Sequence, residues 1–325
     1  MLRHELVLAE TFGRFTFEDK STAITPQTIF DLASLTKVVI TTAAAMLLYE
    51  GGKFRLEQRV AEVVPEFAQG ADARKQEVTF HMLLAHSSGL PAHVKFYEQV
   101  KTREEFLHAA FHLPLETEPM SRALYSDIGF IILGVALERI ANEPLDVFCS
   151  REIFQPLGMH QTFFRPPQAL RGSIPPTLDA VDFRKRVIQG EVNDENASVM
   201  GGVAGHAGLF GSALDVSKFA ECMLNGGSPI LDRSTIESFT RRQQIPQGTT
   251  RALGWDTPST SSQSGQYFSP QSFGHLGYTG CSLWIDPERQ LSVTLLTNRT
   301  WPDGKSQQIK LSRPAIHDAI VEALG

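Results

Sequence analysis

Ser34 and Lys37 form the spacing in this sequence with the clearest chemical meaning. They bound the stretch Ser34-Leu35-Thr36-Lys37, and residues three apart on a helix share one face, with Cβ atoms about 5–6 Å apart. A serine hydroxyl becomes a good nucleophile when a neighbour takes its proton, and a lysine in a dry, electropositive pocket has its pKa lowered toward that task. A helix N-terminus would also offer N–H groups to a developing oxyanion. Taken alone, a four-residue match is common by chance, and a surface lysine beside a serine explains it equally well.

Tyr125 is a second residue suited to moving a proton. It begins the stretch Tyr125-Ser126-Asp127, directly before an apolar run that predicts a helix. A phenol held between Ser34 and Lys37 acts as a general base once nearby cations depress its pKa. The same residues also fit an ordinary helix N-cap without chemistry.

A glycine-rich stretch near the C-terminus is the third candidate. His275-Leu276-Gly277-Tyr278-Thr279-Gly280 stands immediately before a β-prone run. Its unhindered backbone could lie beside a substrate and offer an N–H group. By itself the stretch predicts only a turn.

Composition favours an ordinary globular enzyme. The chain has 325 residues, 42% apolar and 20% charged, with a net charge of −6 and scattered basic residues, which argues against nucleic acid as a partner. Three cysteines without a CxxC pair predict unpaired core thiols. No run of 18 apolar residues occurs and the first residues do not resemble a signal peptide. We therefore expect no membrane association and a cytoplasmic location, unless the N-terminus is truncated from a secreted, periplasmic or fusion protein.

Metal and nucleotide sites are not predicted. His108-x-x-x-His112 lacks a partnering acid, and the glycines of residues 201–208 fit neither the dinucleotide nor the P-loop spacing. No G-x-S-x-G elbow is present, which counts against the α/β-hydrolase fold. We expect neither a metal nor an organic cofactor.

Hydrophobic patterning predicts an antiparallel or mixed sheet flanked by helices, an α/β (α+β) fold with an all-helical subdomain. The predicted sheet domain comprises residues 1–60 and 240–325 and the mainly helical subdomain residues 61–239, with the active site at their junction. Predicted helices are Ser34 to Glu50, Thr79 to Ala85, Arg103 to Phe111, Asp127 to Ile140, Asp215 to Leu224 and Pro314 to Leu324; predicted strands lie in Leu6 to Phe17, Cys281 to Ile285 and Gln290 to Thr297.

The three candidate motifs, in this order and spacing, resemble the class C β-lactamase family, broadly the group of serine β-lactamases, D-alanyl-D-alanine peptidases, penicillin-binding proteins and esterases. The resemblance covers nearly the whole chain. Residues 28–37 (TIFDLASLTK), 83–91 (LLAHSSGLP) and 204–210 (AGHAGLF) are also characteristic of the family.

The resemblance implies a set of roles. Ser34 would be the nucleophile, Lys37 and Tyr125 the proton-handling pair, and the backbone N–H groups of Ser34 and Tyr278, after Gly277, the oxyanion hole. His275 replaces the lysine usual in β-lactamases and is expected to hydrogen-bond Tyr125 and tune it.

Two positions depart from the family pattern. Leu276 stands where relatives commonly have threonine or serine and cannot hold a substrate carboxylate through a hydroxyl. Asp127 stands where many relatives have asparagine and adds a negative charge that disfavours anionic acyl groups.

We therefore predict a small ester, amide or β-lactam substrate and an esterase-like enzyme, weak β-lactamase or D-amino-acid peptidase. The alternative is a non-catalytic or irreversibly acylated module that binds penicillin or peptidoglycan; oligomeric state is not predicted.

Overall fold

Three small antiparallel sheets and the helices packed on them make up the described part of the chain. The computed structural model describes residues 1–180, 183–260 and 262–324. Its strands are β1 (Ile29–Asp31), β2 (Phe163–Phe164), β3 (Leu178–Asp179), β4 (Val187–Ile188), β5 (Leu209–Ser212), β6 (Phe273–Leu276), β7 (Ser282–Asp286) and β8 (Leu291–Leu295). Its α-helices are α1 (Ala43–Glu50), α2 (Phe80–Leu84), α3 (Arg103–His112), α4 (Asp127–Ala141), α5 (Leu145–Cys149), α6 (Gln155–Leu157), α7 (Glu195–Val199), α8 (Ala213–Leu224), α9 (Arg233–Thr240) and α10 (Ile309–Leu324).

The C-terminal sheet has the order β6-β7-β8 and lies between two helices. Alternate side chains of β7 point to opposite faces. Trp284 packs with Val293 and with Val321 of α10, whereas Leu283 and Ile285 join the main core on the side of α8. The predicted hairpin is confirmed, because β7 and β8 pair antiparallel with Trp284 opposite Val293.

Ser34 lies at the start of a long buried helical segment. A 3₁₀ turn (Ala33–Leu35), a π-helical turn (Lys37–Thr42) and α1 follow one another and end at Gly51. Asp31 caps the start, since its Oδ1 accepts the N–H of Ala33 at 2.8 Å. The segment is long and apolar enough to cross a membrane, yet 78% of it is buried inside the protein, as in a core helix. The predicted helix to Glu50 is confirmed.

The remaining predicted helices are confirmed within one or two residues at most ends, because their capping signals are local. Thr79 caps α2 and Ser126 caps α4, each accepting a backbone N–H one turn ahead. Thr102 and Glu105 form a complete capping box at α3. All three cysteines are buried and unpaired, as predicted.

The predicted N-terminal strand is wrong. Met1 and Leu2 pair with the edge of β8, but Arg3 and His4 adopt left-handed φ angles of 47° and 70°. This turn leads the following residues off the sheet, and Leu6 and Leu8 remain about half exposed (50% and 51%). The alternation of apolar residues in this segment was therefore not sufficient to pair it with a strand of the sheet.

The closing helix begins earlier than predicted, at Ile309 rather than Pro314. Proline lacks an N–H, so the carbonyl four residues before it loses its helical donor. Here that carbonyl belongs to Lys310 and accepts a hydrogen bond from the side-chain amide of Gln263 at 3.1 Å instead. A neighbouring loop thus allows the helix to run through proline.

His317 of α10 makes the fold sensitive to acid. It is fully buried, and its ring contacts Ser282 Oγ and the carbonyl of Ser264, both at 3.1 Å. Burial lowers the pKa of His317 to about 4, below the value of about 6.5 in an unfolded chain. Its contribution to the free energy of unfolding is therefore complete above pH 6.5 and is lost as the pH falls toward 4.

We expect stability to decrease by on the order of 3 kcal/mol from this group over that pH range. His317→Asn removes the titrating ring but keeps a donor near the carbonyl. In urea unfolding at several pH values, the gap in stability between wild type and variant should shrink as the pH falls from 7 to 4. A gap that stays constant would show that His317 does not titrate with unfolding.

Candidate active site

The Ser34 hydroxyl is presented by a turn that directly follows strand β1. β1 pairs with β5, and the N–H of Leu32 extends this pairing to the carbonyl of Leu209 at 2.9 Å. Ala33 then takes a left-handed φ of 47°, a conformation that costs a residue with a side chain about 1–2 kcal/mol. The bend leaves Ser34 half-buried, whereas its neighbours on both sides are fully buried.

Lys37 is completely buried and contacts three groups of the site. Its Nζ lies 3.0 Å from Ser34 Oγ and 2.7 Å from Asp127 Oδ1. It also donates a hydrogen bond to the carbonyl of His206 at 2.9 Å. The S-x-x-K spacing therefore produces the contact that it predicted.

The charge state of Lys37 differs from the expectation. Burial disfavours the charged form, but the Asp127 carboxylate outweighs burial and raises the pKa of Lys37. Lys37 holds the pKa of Asp127 well below its usual range in return. Asp127 Oδ2 also lies 3.6 Å from His93 Nδ1, and the Asp127 carboxylate raises the pKa of His93. The resting site is thus an ion pair, and the predicted lowering of the lysine pKa is wrong.

Tyr125 lies beside Lys37 and lines the same pocket as Ser34, the two residues that the sequence predicted as its neighbours. Lys37 Nζ is 4.8 Å from its ring centroid, within the range of a cation–π interaction. Ser126 fixes the backbone here, since its N–H donates to His86 Nδ1 at 3.0 Å. Desolvation, reinforced by Asp127 and opposed by Lys37, raises the pKa of Tyr125. The expected depression of its pKa by cations is therefore wrong, and the phenol is protonated at rest.

His275 lies in β6, which the sequence did not predict as a strand, and its ring centroid is 5.8 Å from that of Tyr125. Its Nδ1 lies 2.8 Å from the carbonyl of Leu276, and its Nε2 is buried without a hydrogen-bond partner in the described residues. The predicted hydrogen bond to Tyr125 is thus not formed. Burial, assisted by the charge of Lys37, lowers the pKa of His275 to about 3, so the ring is neutral.

The turn after β6 packs against the turn before Ser34. A Cβ on Gly277 would lie 2.7 Å from the carbonyl of Leu32, so only glycine allows this approach. Arg299 fixes the next residue by donating from Nε to the Tyr278 carbonyl at 2.8 Å. Among the described residues, the N–H of Tyr278 has no backbone acceptor. The predicted second N–H of an oxyanion hole therefore lies on a turn held against Ser34.

The pocket beside Ser34 contains charged residues that the motifs did not reveal. It has a volume of about 340 Å³ and is lined by Ser34, Tyr125, Arg251, Asp256, His275, Leu276, Gly277, Tyr278, Arg299, Ile309, Lys310 and Arg313. Four of these are cations and one is a carboxylate. The cations come from the loop before β6, the segment after β8 and the first two turns of α10. No short motif links them, so only the folded chain brings them together.

The family follows from a direct comparison. A family model called Beta-lactamase matches residues 3–312. The chain belongs to the β-lactamase family. Membership makes the protein a serine hydrolase, as the sequence predicted, and the family takes small amide, ester or β-lactam substrates.

Relatives of this β-lactamase-family protein support the same fold. A protein of Salmonella gallinarum, provisionally named a D-alanyl-D-alanine carboxypeptidase, is 32% identical over 334 residues, covering 91% of this chain and 76% of the relative. The octameric penicillin-binding protein homologue of Pyrococcus abyssi superimposes with a TM-score of 0.74 at 22% identity, covering 97% of this chain and 71% of that one. A class C β-lactamase of Rhodobacter sphaeroides gives 0.70 at 21% identity, covering 95% and 90%. The predicted fold class is confirmed.

Proposed function

We propose that this hydrolase transfers an acyl group from an ester or amide to water through an acyl-enzyme on Ser34. The observation that carries the proposal is the contact of Ser34 Oγ with Lys37 Nζ at 3.0 Å beside an open pocket. Lys37 and Tyr125 are both protonated at rest, so the pair becomes a base only after it loses one proton to solvent. The fraction of enzyme in that state sets the rate, and a macroscopic pKa of the pair describes it.

The reaction then follows from the positions of the groups. The deprotonated pair takes the hydroxyl proton as Ser34 Oγ attacks the acyl carbon, and the N–H groups of Ser34 and Tyr278 stabilise the oxyanion. Collapse breaks the bond to the leaving group, which receives the proton. Water, activated at Tyr125, attacks the ester carbon, releases the acid and returns the proton to Ser34.

The charge of the pocket supports a substrate that carries a carboxylate near the scissile bond. Arg251, Arg299, Lys310 and Arg313 against Asp256 give the lining three more positive than negative side chains, although the chain as a whole carries −6. Arg299 and Arg313 bond to backbone carbonyls, which leaves their charges without a carboxylate partner among the described residues. Peptides that end in a D-amino acid, the class in the name of the Salmonella relative, have such a carboxylate. Neutral esters are the second candidate, because Leu276 lines the pocket without a hydroxyl.

A matched pair of substrates tests this proposal. We would compare an acyl-D-lactate ester with its methyl ester, which differ only in the carboxylate, and follow Ser34 by intact-protein mass spectrometry. We expect an acyl adduct in wild type and none in Ser34→Ala, with kcat/KM about tenfold or more higher for the charged ester, a modest value for one charge-assisted contact.

Each other outcome has a distinct meaning. An adduct that persists in Ser34→Ala would refute Ser34 as the nucleophile. Equal kcat/KM values would favour neutral esters, and an adduct on Ser34 that does not turn over would favour the acylated binding module. A chromogenic cephalosporin in the same assay would show whether a β-lactam is hydrolysed or only retained.

A further inference from the structure

Arg251 lies beside the ring of Tyr125 and belongs to none of the sequence motifs. Its guanidinium carbon lies 5.4 Å from the ring centroid, within the range of a cation–π interaction, and its side chain is only 21% exposed. The backbone around it is well anchored. Arg251 bridges to Asp256, which in turn exchanges two backbone hydrogen bonds of 2.9 Å with Gly274, the residue before His275.

The other groups that face Tyr125 supply little net positive charge. The charge of Lys37 is balanced by Asp127 at 2.7 Å. The rings of His86 and His275 lie 4.8 and 5.8 Å from the Tyr125 ring, and both are neutral because burial lowers their pKa values.

Arg251 is less tightly neutralised. Its nearest carboxylate oxygen, Asp256 Oδ2, is 3.7 Å away, and the other oxygen of Asp256 accepts hydrogen bonds from Thr250 at 2.7 Å and from the N–H of Thr257 at 3.1 Å. The other three cations of the pocket, Arg299, Lys310 and Arg313, have no ring contact with Tyr125 in the described residues.

We propose that Arg251 is a positioning residue for Tyr125: it holds the phenol ring against Ser34 and Lys37 and stabilises the negative charge on the phenolate that accepts the Ser34 proton. The inference rests on acylation of Ser34 as proposed above. In the singly deprotonated pair, the proton lies on either Lys37 or Tyr125. A cation beside the ring favours the form with a phenolate and an ammonium, which receives the serine proton on the phenolate oxygen.

Loss of Arg251 therefore raises the macroscopic pKa of the Lys37–Tyr125 pair. A unit charge about 5 Å away, partly offset by a carboxylate, corresponds to a shift of about one pH unit. A residue that only supported the fold would lower the maximal rate without moving this pKa. A residue that only bound a substrate carboxylate would have no effect on a neutral ester.

The test measures kcat/KM for p-nitrophenyl butyrate, a neutral ester, from about pH 6 to about pH 10, where the pair is expected to titrate. We expect Arg251→Met to move the rising limb of the plot of kcat/KM against pH to a pH about one unit higher. The value of kcat/KM near pH 7 should then be about tenfold lower. Arg251→Lys, which keeps the charge and serves if the methionine variant folds poorly, should retain the wild-type limb within a few tenths of a unit. Arg241→Met is the matched control, because Arg241 is an exposed cation ten residues away that does not line the pocket.

The outcomes separate the inference from the proposed function. If wild type forms an adduct on Ser34 but Arg251→Met leaves the limb in place, the role of Arg251 is overturned and the acyl-enzyme stands. An equal shift in Arg241→Met would attribute the effect to net charge and would also overturn it. Absence of any Ser34 adduct in wild type would overturn both.

Discussion

Replacing Lys37 by methionine is expected to slow acylation of Ser34 by about 10³-fold, within the range of 10²–10⁴ for loss of a positioned acid–base group. Lys37 is fully buried and contacts Ser34 Oγ and Asp127 directly. Methionine fills the same volume but cannot accept a proton. Stopped-flow measurement of the first turnover with p-nitrophenyl butyrate would give the acylation rate directly.

Lys75→Met provides the matched control. Lys75 is equally buried but donates to the carbonyls of Phe111 and Leu113 at the C-terminal end of α3, and it does not line the pocket beside Ser34. It should lower stability and leave the acylation rate within a few-fold of wild type. Equal losses of rate in the two variants would mean that a general packing defect, rather than the Ser34 contact, explains the loss.

Asp127→Asn is expected to make the enzyme faster near neutral pH. The Asp127 carboxylate raises the pKa of both Lys37 and Tyr125. The uncharged side-chain amide of asparagine would remove this effect. The macroscopic pKa of the pair should fall by about one to two units, as expected for removal of an adjacent buried charge. The rising limb of kcat/KM against pH would then move to lower pH, in the direction opposite to Arg251→Met.

The Asp127→Asn variant can also be tested by following the titration of His93 by NMR. The Asp127 carboxylate raises the pKa of His93, so the titration of His93 should also move to lower pH in Asp127→Asn. We expect a stability loss of about 3–5 kcal/mol, because Lys37 remains buried without its partner charge. An unchanged limb with a shifted His93 would show that Asp127 is not coupled to the proton-handling pair.

Local signals in the sequence were sufficient for much of the site. Ser34 and Lys37 meet because three residues on one helical turn share a face, and Tyr125 is placed by a helix that Ser126 caps. Gly277 is required by a close approach to the carbonyl of Leu32. The helical spacing and the cap depend on a few neighbouring residues, so the order of residues reveals them, and the glycine-rich stretch marked Gly277 as a place for close backbone approach without identifying Leu32 as the partner.

Other features depended on contacts between distant segments. The signs of the pKa shifts of Lys37 and Tyr125 were wrong because the Asp127 charge outweighs desolvation at Lys37 and adds to it at Tyr125, at contact distances that no motif states. Arg251 and Arg313 reach the pocket from positions more than 200 residues beyond Ser34 in the chain. The prediction of an N-terminal strand was wrong for a similar reason, because pairing at a sheet edge depends on where the chain turns.

The π-helical turn at Lys37–Thr42 absorbs one residue without turning the active site away from the core. A π turn holds one residue more than the α-helical turn it replaces, so it is equivalent to a single-residue insertion. Deleting one residue among positions 38–42 would let the segment close as a regular α-helix, with the residues on either side near their present orientation. With α1 kept in the core, Ser34 and Lys37 would then still face Tyr125. The same deletion in the regular helix of α1 has no wider turn to absorb it, and there one residue corresponds to about 100° of rotation.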